Sequence, residues 1–270
     1  MDDDVELLIE KVKIRKYHCL NVSHRGLTFL PQNFNEIENL KILLLNDNRL
    51  VLPPVELLSL CSCLEELVLD NNNFTLLPSG IGKFKALTIL SANHTSLGAL
   101  NPEIGELISL KELWLNDCSL FTIPKEIGLL KRLTKLGLRC NKLEVIPKEI
   151  GKLKLLRWVS FAENNLFTVP KEFNQLQELR YASFSGNRLQ KIPDPLLNIS
   201  NLRVVLLSNN KIENVSDDVL LSFASMVKVD LRHNPMIKKP DHWKGMDFIL
   251  VGHELQQKDE NVFDSMSGMS

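Results

Sequence analysis

A pattern that returns about every 23 residues runs through almost the whole chain and limits what the chain can fold into. Apolar residues fill its first, fourth, sixth and eleventh positions, and asparagine most often fills the ninth. The first position recurs ten times, at Tyr17, Leu40, Leu64, Leu87, Leu110, Leu133, Leu156, Leu179, Leu202 and Met226. So regular a period predicts a solenoid, in which each unit buries its apolar side chains only against its neighbours.

Each unit contains one short strand and one return segment. Apolar and exposed residues alternate around positions such as Leu113 and Leu115, and this alternation is typical of a strand. A proline such as Pro124 then begins the return, which leaves room for only one short turn of helix. We therefore predict an α/β solenoid, with a curved parallel β-sheet on the concave face and short helices or 3₁₀ turns on the convex face.

The ninth position holds asparagine in seven of the repeats: Asn48, Asn72, Asn141, Asn164, Asn187, Asn210 and Asn234. A buried side-chain amide both donates and accepts hydrogen bonds, so it can satisfy the backbone groups that lose their partners where the chain leaves the strand. Thr95 and Cys118 take this position in the two middle repeats, and there the sequence predicts a slightly weaker stretch.

The pattern also predicts how the chain is divided. Residues 1–16 are expected to form an N-terminal helical cap, since Val5, Leu8, Ile9 and Val12 lie on one helical face. Residues 17–236 form the ten repeats, residues 237–255 a C-terminal cap, and the polar residues 256–270 a disordered tail.

Charge and composition exclude several classes of function. The formal net charge is -1, so there is no overall attraction to nucleic acid. The sequence contains no run of 18 apolar residues, so no membrane span is predicted. The acidic start of the chain does not resemble a basic secretory signal, and five cysteines are an odd number for a disulfide framework. These features favour a cytoplasmic or nuclear location.

No catalytic motif accompanies the repeats. The phosphate-binding loop, the zinc-protease motif and the nucleophile elbow are all missing. Cys61 and Cys63 have no second ligand pair at a metal-binding spacing, so they are interpreted as two small residues in the lengthened link of one repeat. We therefore expect no enzyme activity, no catalytic residues, no metal and no cofactor.

The link Ile-Pro-Lys-Glu-Ile-Gly, at 123–128 and again at 146–151, resembles the leucine-rich repeats of the Ras-group type. Ras suppressor protein and the repeat regions of Scribble-like scaffolds belong to that group. The resemblance implies an intracellular adaptor that binds other proteins on its concave sheet. Partners in the group are often small GTPases, phosphatase subunits or junction components.

The variable strand positions on the concave face are the candidate binding site. Tryptophan, tyrosine and arginine most often dominate binding energy, and acidic residues lie beside them. Gly137 is expected to leave a gap between two tryptophans that a partner side chain could enter. The predicted protein-binding residues are Trp114, Arg139, Trp158, Tyr181, Lys135, Glu112, Glu66 and Asp70. The alternative is that the rings stack on one another and shield the sheet, and that the acidic residues form a solvated surface.

These observations predict a monomeric, non-enzymatic scaffold or adaptor that binds a protein partner in intracellular signalling. Two narrower functions stay open. One is a regulatory subunit that modulates a phosphatase or a small GTPase. The other is a structural component of a cytoskeletal or contractile assembly.

Overall fold

Eleven parallel strands form one sheet, and their order in the sheet follows their order in the chain. The structure is a computed structural model that describes residues 2–51, 55–60, 62–236, 239, 243 and 245–252. Because every strand pairs only with its sequence neighbours, the predicted solenoid is confirmed. The strands are β1 Cys19–Asn21, β2 Ile42–Leu44, β3 Glu66–Val68, β4 Ile89–Ser91, β5 Glu112–Trp114, β6 Lys135–Gly137, β7 Trp158–Ser160, β8 Tyr181–Ser183, β9 Val204–Leu206, β10 Lys228–Asp230 and β11 Ile249–Leu250.

The core lies behind the sheet, along the middle residue of each strand. In-register pairing places Leu113 of β5 beside Leu136 of β6 and places Leu136 beside Val159 of β7, and all three are fully buried. The two flanking residues of each strand point to the opposite, concave side. Side-chain alternation along a strand therefore decides which residues a partner can reach.

Short helical turns return the chain along the convex side, as predicted. Among the described residues, seven of these turns are 3₁₀ helices: Gln32–Glu36, Val55–Leu60, Ile81–Lys83, Pro102–Glu106, Lys125–Leu129, Lys148–Lys152 and Lys171–Gln175. The next two are the α-helices Asp194–Leu197 and Asp217–Phe223. Neighbouring turns pack so closely that a Cβ on Gly128 would lie 2.6 Å from the backbone oxygen of Glu149. This close approach explains the glycine in the repeated link.

The ninth-position asparagines form the predicted ladder of backbone hydrogen bonds. The side-chain amide of Asn164 donates to Leu138 O at 2.9 Å and to Phe161 O at 3.0 Å, and its oxygen accepts from Leu143 N at 3.0 Å. The two replacements in the middle form different contacts. Thr95 Oγ1 donates to Ala92 O at 2.8 Å, and Cys118 Sγ lies 3.1 Å from the same oxygen. The weaker middle stretch stays a prediction.

Each end of the solenoid carries an added element. An α-helix, α1 (Asp2–Arg15), precedes β1 and buries Val5, Ile9 and Val12. At the other end β11 pairs in parallel with β10, which places Ile249 beside Val229. The repeat pattern did not predict this eleventh strand.

The predicted division at residues 16, 236 and 255 stays a prediction. The predicted tail, 256–270, lies outside the described residues, as do residues 237, 238, 240–242, 244 and 253–255 of the predicted C-terminal cap.

Candidate functional site

Four neighbouring strands, β5 to β8, bring the predicted aromatic residues together on the concave face. The register aligns Glu112 with Lys135 and Trp158, and it aligns Trp114 with Gly137 and Ser160. Each of these residues flanks a buried core residue, so its side chain projects away from the core. The sheet therefore places these side chains on adjacent strands about 4.8 Å apart.

The aromatic side chains form a continuous stack. The ring centroids of Trp114 and Trp158 are 5.2 Å apart, and those of Trp158 and Tyr181 are 5.3 Å apart with nearly parallel planes. Both tryptophans stay partly exposed, whereas Tyr181 is only 7% exposed. The stacking anticipated as an alternative is therefore present. It leaves two tryptophan surfaces accessible and uses the tyrosine to support them.

The predicted gap over Gly137 does not exist, and that prediction was wrong. A Cβ built on Gly137 would lie 2.5 Å from Cε3 of Trp114. The indole of Trp114 thus lies over the glycine and fills the space that the missing side chain leaves. Glycine at this position lets Trp114 lie flat across the neighbouring strand.

Two of the predicted charged residues hold the aromatic stack in place. Nε1 of Trp114 donates a hydrogen bond to Glu112 at 3.1 Å, and Glu112 also forms an ion pair with Lys135 at 3.0 Å. The charges of Glu112 and Lys135 are therefore paired within the protein. Burial raises the pKa of Tyr181 to about 12, so this residue stays neutral at physiological pH.

The predicted acidic residues Glu66 and Asp70 lie further toward the N-terminal end, on or just after β3. Asp70 accepts hydrogen bonds from Ser91 Oγ at 2.6 Å and from Asn93 N at 2.7 Å. Glu66 is partly exposed and lies two strands away from Glu112. The structure thus places both residues on the predicted face but not in the aromatic stack.

Arg139 completes the site on the side of the sheet where the strands end. Its backbone N donates to Asn116 Oδ1 at 2.8 Å, and its side chain is exposed. Among the described residues, no carboxylate forms an ion pair with its guanidinium. Arg139 is therefore a charged group available to a ligand.

A hollow of about 380 Å³ lies between these groups. Its lining includes Trp114, Trp158, His94, Asp117, Arg139 and Ser160. Its walls combine aromatic surface with one unpaired cation, a composition that suits an apolar or acidic side chain of a partner.

One constraint at the edge of this face was missed by the sequence reasoning. The residue before each ladder position has a positive φ, between 53° and 66°, in all ten repeats. Asn, Asp, His and Gly adopt this left-handed conformation most readily. The recurrence of these residue types at the eighth position was the available signal. The backbone therefore accounts for the type of residue at His24, His94 and His233.

Within the part of the chain that the structure describes, no group of three or more His, Cys, Asp or Glu side chains could hold a metal ion. In the same residues, no helix is both long enough and apolar enough to cross a bilayer.

Models of known protein families match two ranges of this sequence. Residues 101–234 match the model described as a leucine-rich repeat region, and residues 63–84 match the model of the single leucine-rich repeat. The chain is a leucine-rich-repeat solenoid. Such a solenoid generally mediates protein–protein interaction and is typically a non-enzymatic scaffold.

Solved structures of leucine-rich-repeat solenoids resemble this one over most of its length. A leucine-rich-repeat protein of Leptospira interrogans is 35% identical, with a TM-score of 0.79 over 87% of this chain and 60% of that chain. The ectodomain of the Arabidopsis thaliana receptor kinase GASSHO1/SCHENGEN3, in complex with CASPARIAN STRIP INTEGRITY FACTOR 2, is 32% identical. Its TM-score is 0.73 over 87% of this chain and 29% of that chain.

A third structure is the plant peptide hormone receptor RGFR1 in complex with RGF2. It is 28% identical, with a TM-score of 0.70 over 84% of this chain and 38% of that chain. This leucine-rich-repeat solenoid thus spans only part of each of these proteins. A comparison with curated protein sequences gave no match.

Proposed function

We propose that this solenoid is a non-enzymatic scaffold that binds a protein partner on its concave sheet. The observation that carries the proposal is the partly exposed pair of Trp114 and Trp158. Tyr181 and Glu112 hold this pair in place beside a hollow that contains the unpaired cation of Arg139. Exposed tryptophans next to an arginine are the residues that most often dominate binding energy.

The arrangement suits binding for an entropic reason as well. The aromatic rings are fixed by stacking and by the hydrogen bond to Glu112, so they lose little conformational freedom when a partner binds. Two of the similar plant receptors are described in complex with the named factors CASPARIAN STRIP INTEGRITY FACTOR 2 and RGF2. These complexes support a binding role for the solenoid here.

We further propose that the scaffold is a monomer of the Ras-group type that acts in the cytoplasm or nucleus as a signalling adaptor. The repeated Ile-Pro-Lys-Glu-Ile-Gly link supports this assignment. The four cysteines in the described part of the chain are free, as in a reducing compartment. Regulation of a phosphatase or a small GTPase, or a place in a cytoskeletal assembly, would be a narrower form of the same binding activity.

The test replaces both tryptophans. We expect Trp114→Ala combined with Trp158→Ala to abolish affinity capture of the partner, because it removes the aromatic surface and exposes Gly137. We expect the melting temperature to change by only about a few degrees, since neither ring belongs to the core. Capture is read by mass spectrometry of wild type and variant side by side.

A matched control removes two aromatic rings elsewhere. Phe121 and Phe167 lie outside the strands and are 58% and 51% exposed. Phe121→Ala combined with Phe167→Ala should leave capture unchanged. Retention of the same partners by the tryptophan variant would show that the partner binds another surface. Assaying a captured enzyme with and without the scaffold then distinguishes regulation from passive assembly.

A further inference from the structure

Three arginines directly precede three consecutive strands, next to residues of the aromatic stack. Arg157, Arg180 and Arg203 occupy the second position of their repeats, one residue before β7, β8 and β9. Backbone hydrogen bonds join them directly, since Arg180 N donates to Arg157 O and Arg203 N donates to Arg180 O, each at 2.9 Å. All three are exposed, so they form a strip of positive charge roughly 10 Å long.

No acidic side chain in the described part of the chain neutralises this arginine strip. None of the ion pairs there includes Arg157, Arg180 or Arg203. Arg203 Nη1 donates to the backbone oxygens of Ser200 and Leu202, contacts that orient the guanidinium without cancelling its charge.

The same position carries a neutralised pair in the N-terminal repeats. Lys41 and Glu65 occupy the second position of consecutive repeats, and their side chains form an ion pair at 2.7 Å. Like charges on neighbouring strands repel one another, so an uninterrupted arginine row costs the fold stability where the Lys41–Glu65 arrangement does not. Packing gives no reason for three consecutive arginines at exposed positions, whereas binding an anion does.

The arginine strip continues into the proposed binding site. Arg157 directly precedes Trp158, and Arg180 directly precedes Tyr181. Guanidinium groups bind carboxylates with two parallel hydrogen bonds, a geometry that favours acidic side chains as ligands. An extended peptide covers about 3.3 Å per residue, so about three or four residues span the strip.

We propose that the arginine strip binds an acidic segment of the protein partner, rich in Asp and Glu, while an adjoining apolar residue contacts Trp158. This inference rests on the proposed function and specifies the chemistry of the partner. Charge on the strip then accelerates encounter and selects the partner sequence, and the aromatic stack supplies most of the affinity.

The test uses a fluorescein-labelled peptide with one tryptophan followed by four glutamates, titrated into the full chain and followed by anisotropy. We expect binding that weakens about tenfold between 0.05 and 0.5 M salt, because the exposed charges are screened. A peptide with glutamine in place of glutamate should bind at least about tenfold more weakly. Arg157→Gln, Arg180→Gln and Arg203→Gln together should cause a similar loss and leave the thermal melt intact.

The matched control removes the same charge from the opposite side. Lys125, Lys148 and Lys171 are exposed and begin three consecutive 3₁₀ helices on the convex side. Changing these three lysines to glutamine should leave peptide binding unchanged. An equal loss in this control, equal affinity for the glutamine peptide, or no binding of the glutamate peptide would overturn the inference. Tighter binding of single-stranded RNA, or dimerisation through the strip, would also overturn it.

Failure of this inference differs from failure of the proposed function. If the arginine variant captures the partner as well as wild type does while the tryptophan variant does not, the concave site stands and the acidic partner segment is refuted. If the tryptophan variant captures the partner normally, the concave site itself is wrong.

Discussion

The two parts of the concave face share the same backbone pattern but differ in how their charged side chains are paired. In the N-terminal part, β1 to β5, polar groups pair between neighbouring repeats. Lys41 bonds to Glu65 at 2.7 Å, and His94 bonds to Asp117 at 3.1 Å. In the C-terminal part, β6 to β9, Arg157 and Arg180 have no acidic partner among the described residues. These N-terminal pairs neutralise each other, whereas the two arginines present their charge to a ligand.

The residues at the fifth repeat position also differ between the two parts. At the fifth position β6 to β8 carry Gly137, Ser160 and Ser183, whereas β2 and β3 carry the larger Leu44 and Val68. The indole of Trp114 covers Gly137, and Ser160 and Ser183 are buried, so these small residues let the aromatic rings lie close to the sheet. In a solenoid with constant register, the choice of side chain alone produces this difference.

The largest expected effect concerns the stability that ladder hydrogen bonds give to each of the two parts. Asn164→Ala should lower the free energy of unfolding by about 3 kcal/mol, because several buried backbone groups lose their partners at once. Cys118→Ala should cost only about 1 kcal/mol, since Cys118 is a weaker donor. Urea unfolding measures both. Equal losses would mean that the ladder is equally strong in both parts.

The next expected effect concerns Tyr181, which supports the aromatic stack in the C-terminal part. Burial raises the pKa of Tyr181 to about 12, above the usual 10, so the folded state favours the neutral phenol. This stabilisation is complete below pH 10 and is lost as the pH rises toward 12, a loss of about 2 kcal/mol. In Tyr181→Phe, that part of the alkaline decline in stability should disappear. An identical decline in Tyr181→Phe and wild type would show that the phenol is not protected.

The smallest expected effect comes from two substitutions that exchange the charge arrangement of the two parts. Arg180→Glu places a carboxylate between Arg157 and Arg203, and we expect the melting temperature to rise by about 1 °C. Lys41→Glu places two like charges on neighbouring strands, and we expect a fall of about the same size. Differential scanning calorimetry at low salt measures both changes. A lower melting temperature in Arg180→Glu would mean that repulsion between the arginines does not destabilise the fold.

Much of the site could be predicted from the period alone. Knowing the repeat position of Trp114, Arg139 and Trp158 was enough to place them together on the concave side, because strand periodicity assigns each position to one face. The ladder asparagines could be predicted for the same reason. The left-handed eighth position left a signal in the recurrence of Asn, Asp and His, but only backbone angles show its cause.

The order of repeats, the faces of the strands and the position of the core follow from the sequence by itself, because a 23-residue period permits only neighbour-to-neighbour packing. The tertiary structure alone decided three other features. It laid the indole of Trp114 over Gly137, added β11 to the sheet, and left the arginine strip without carboxylates. Each depends on where a side chain or segment lies among neighbours from other repeats, and a repeat pattern does not encode such rotamers and pairings.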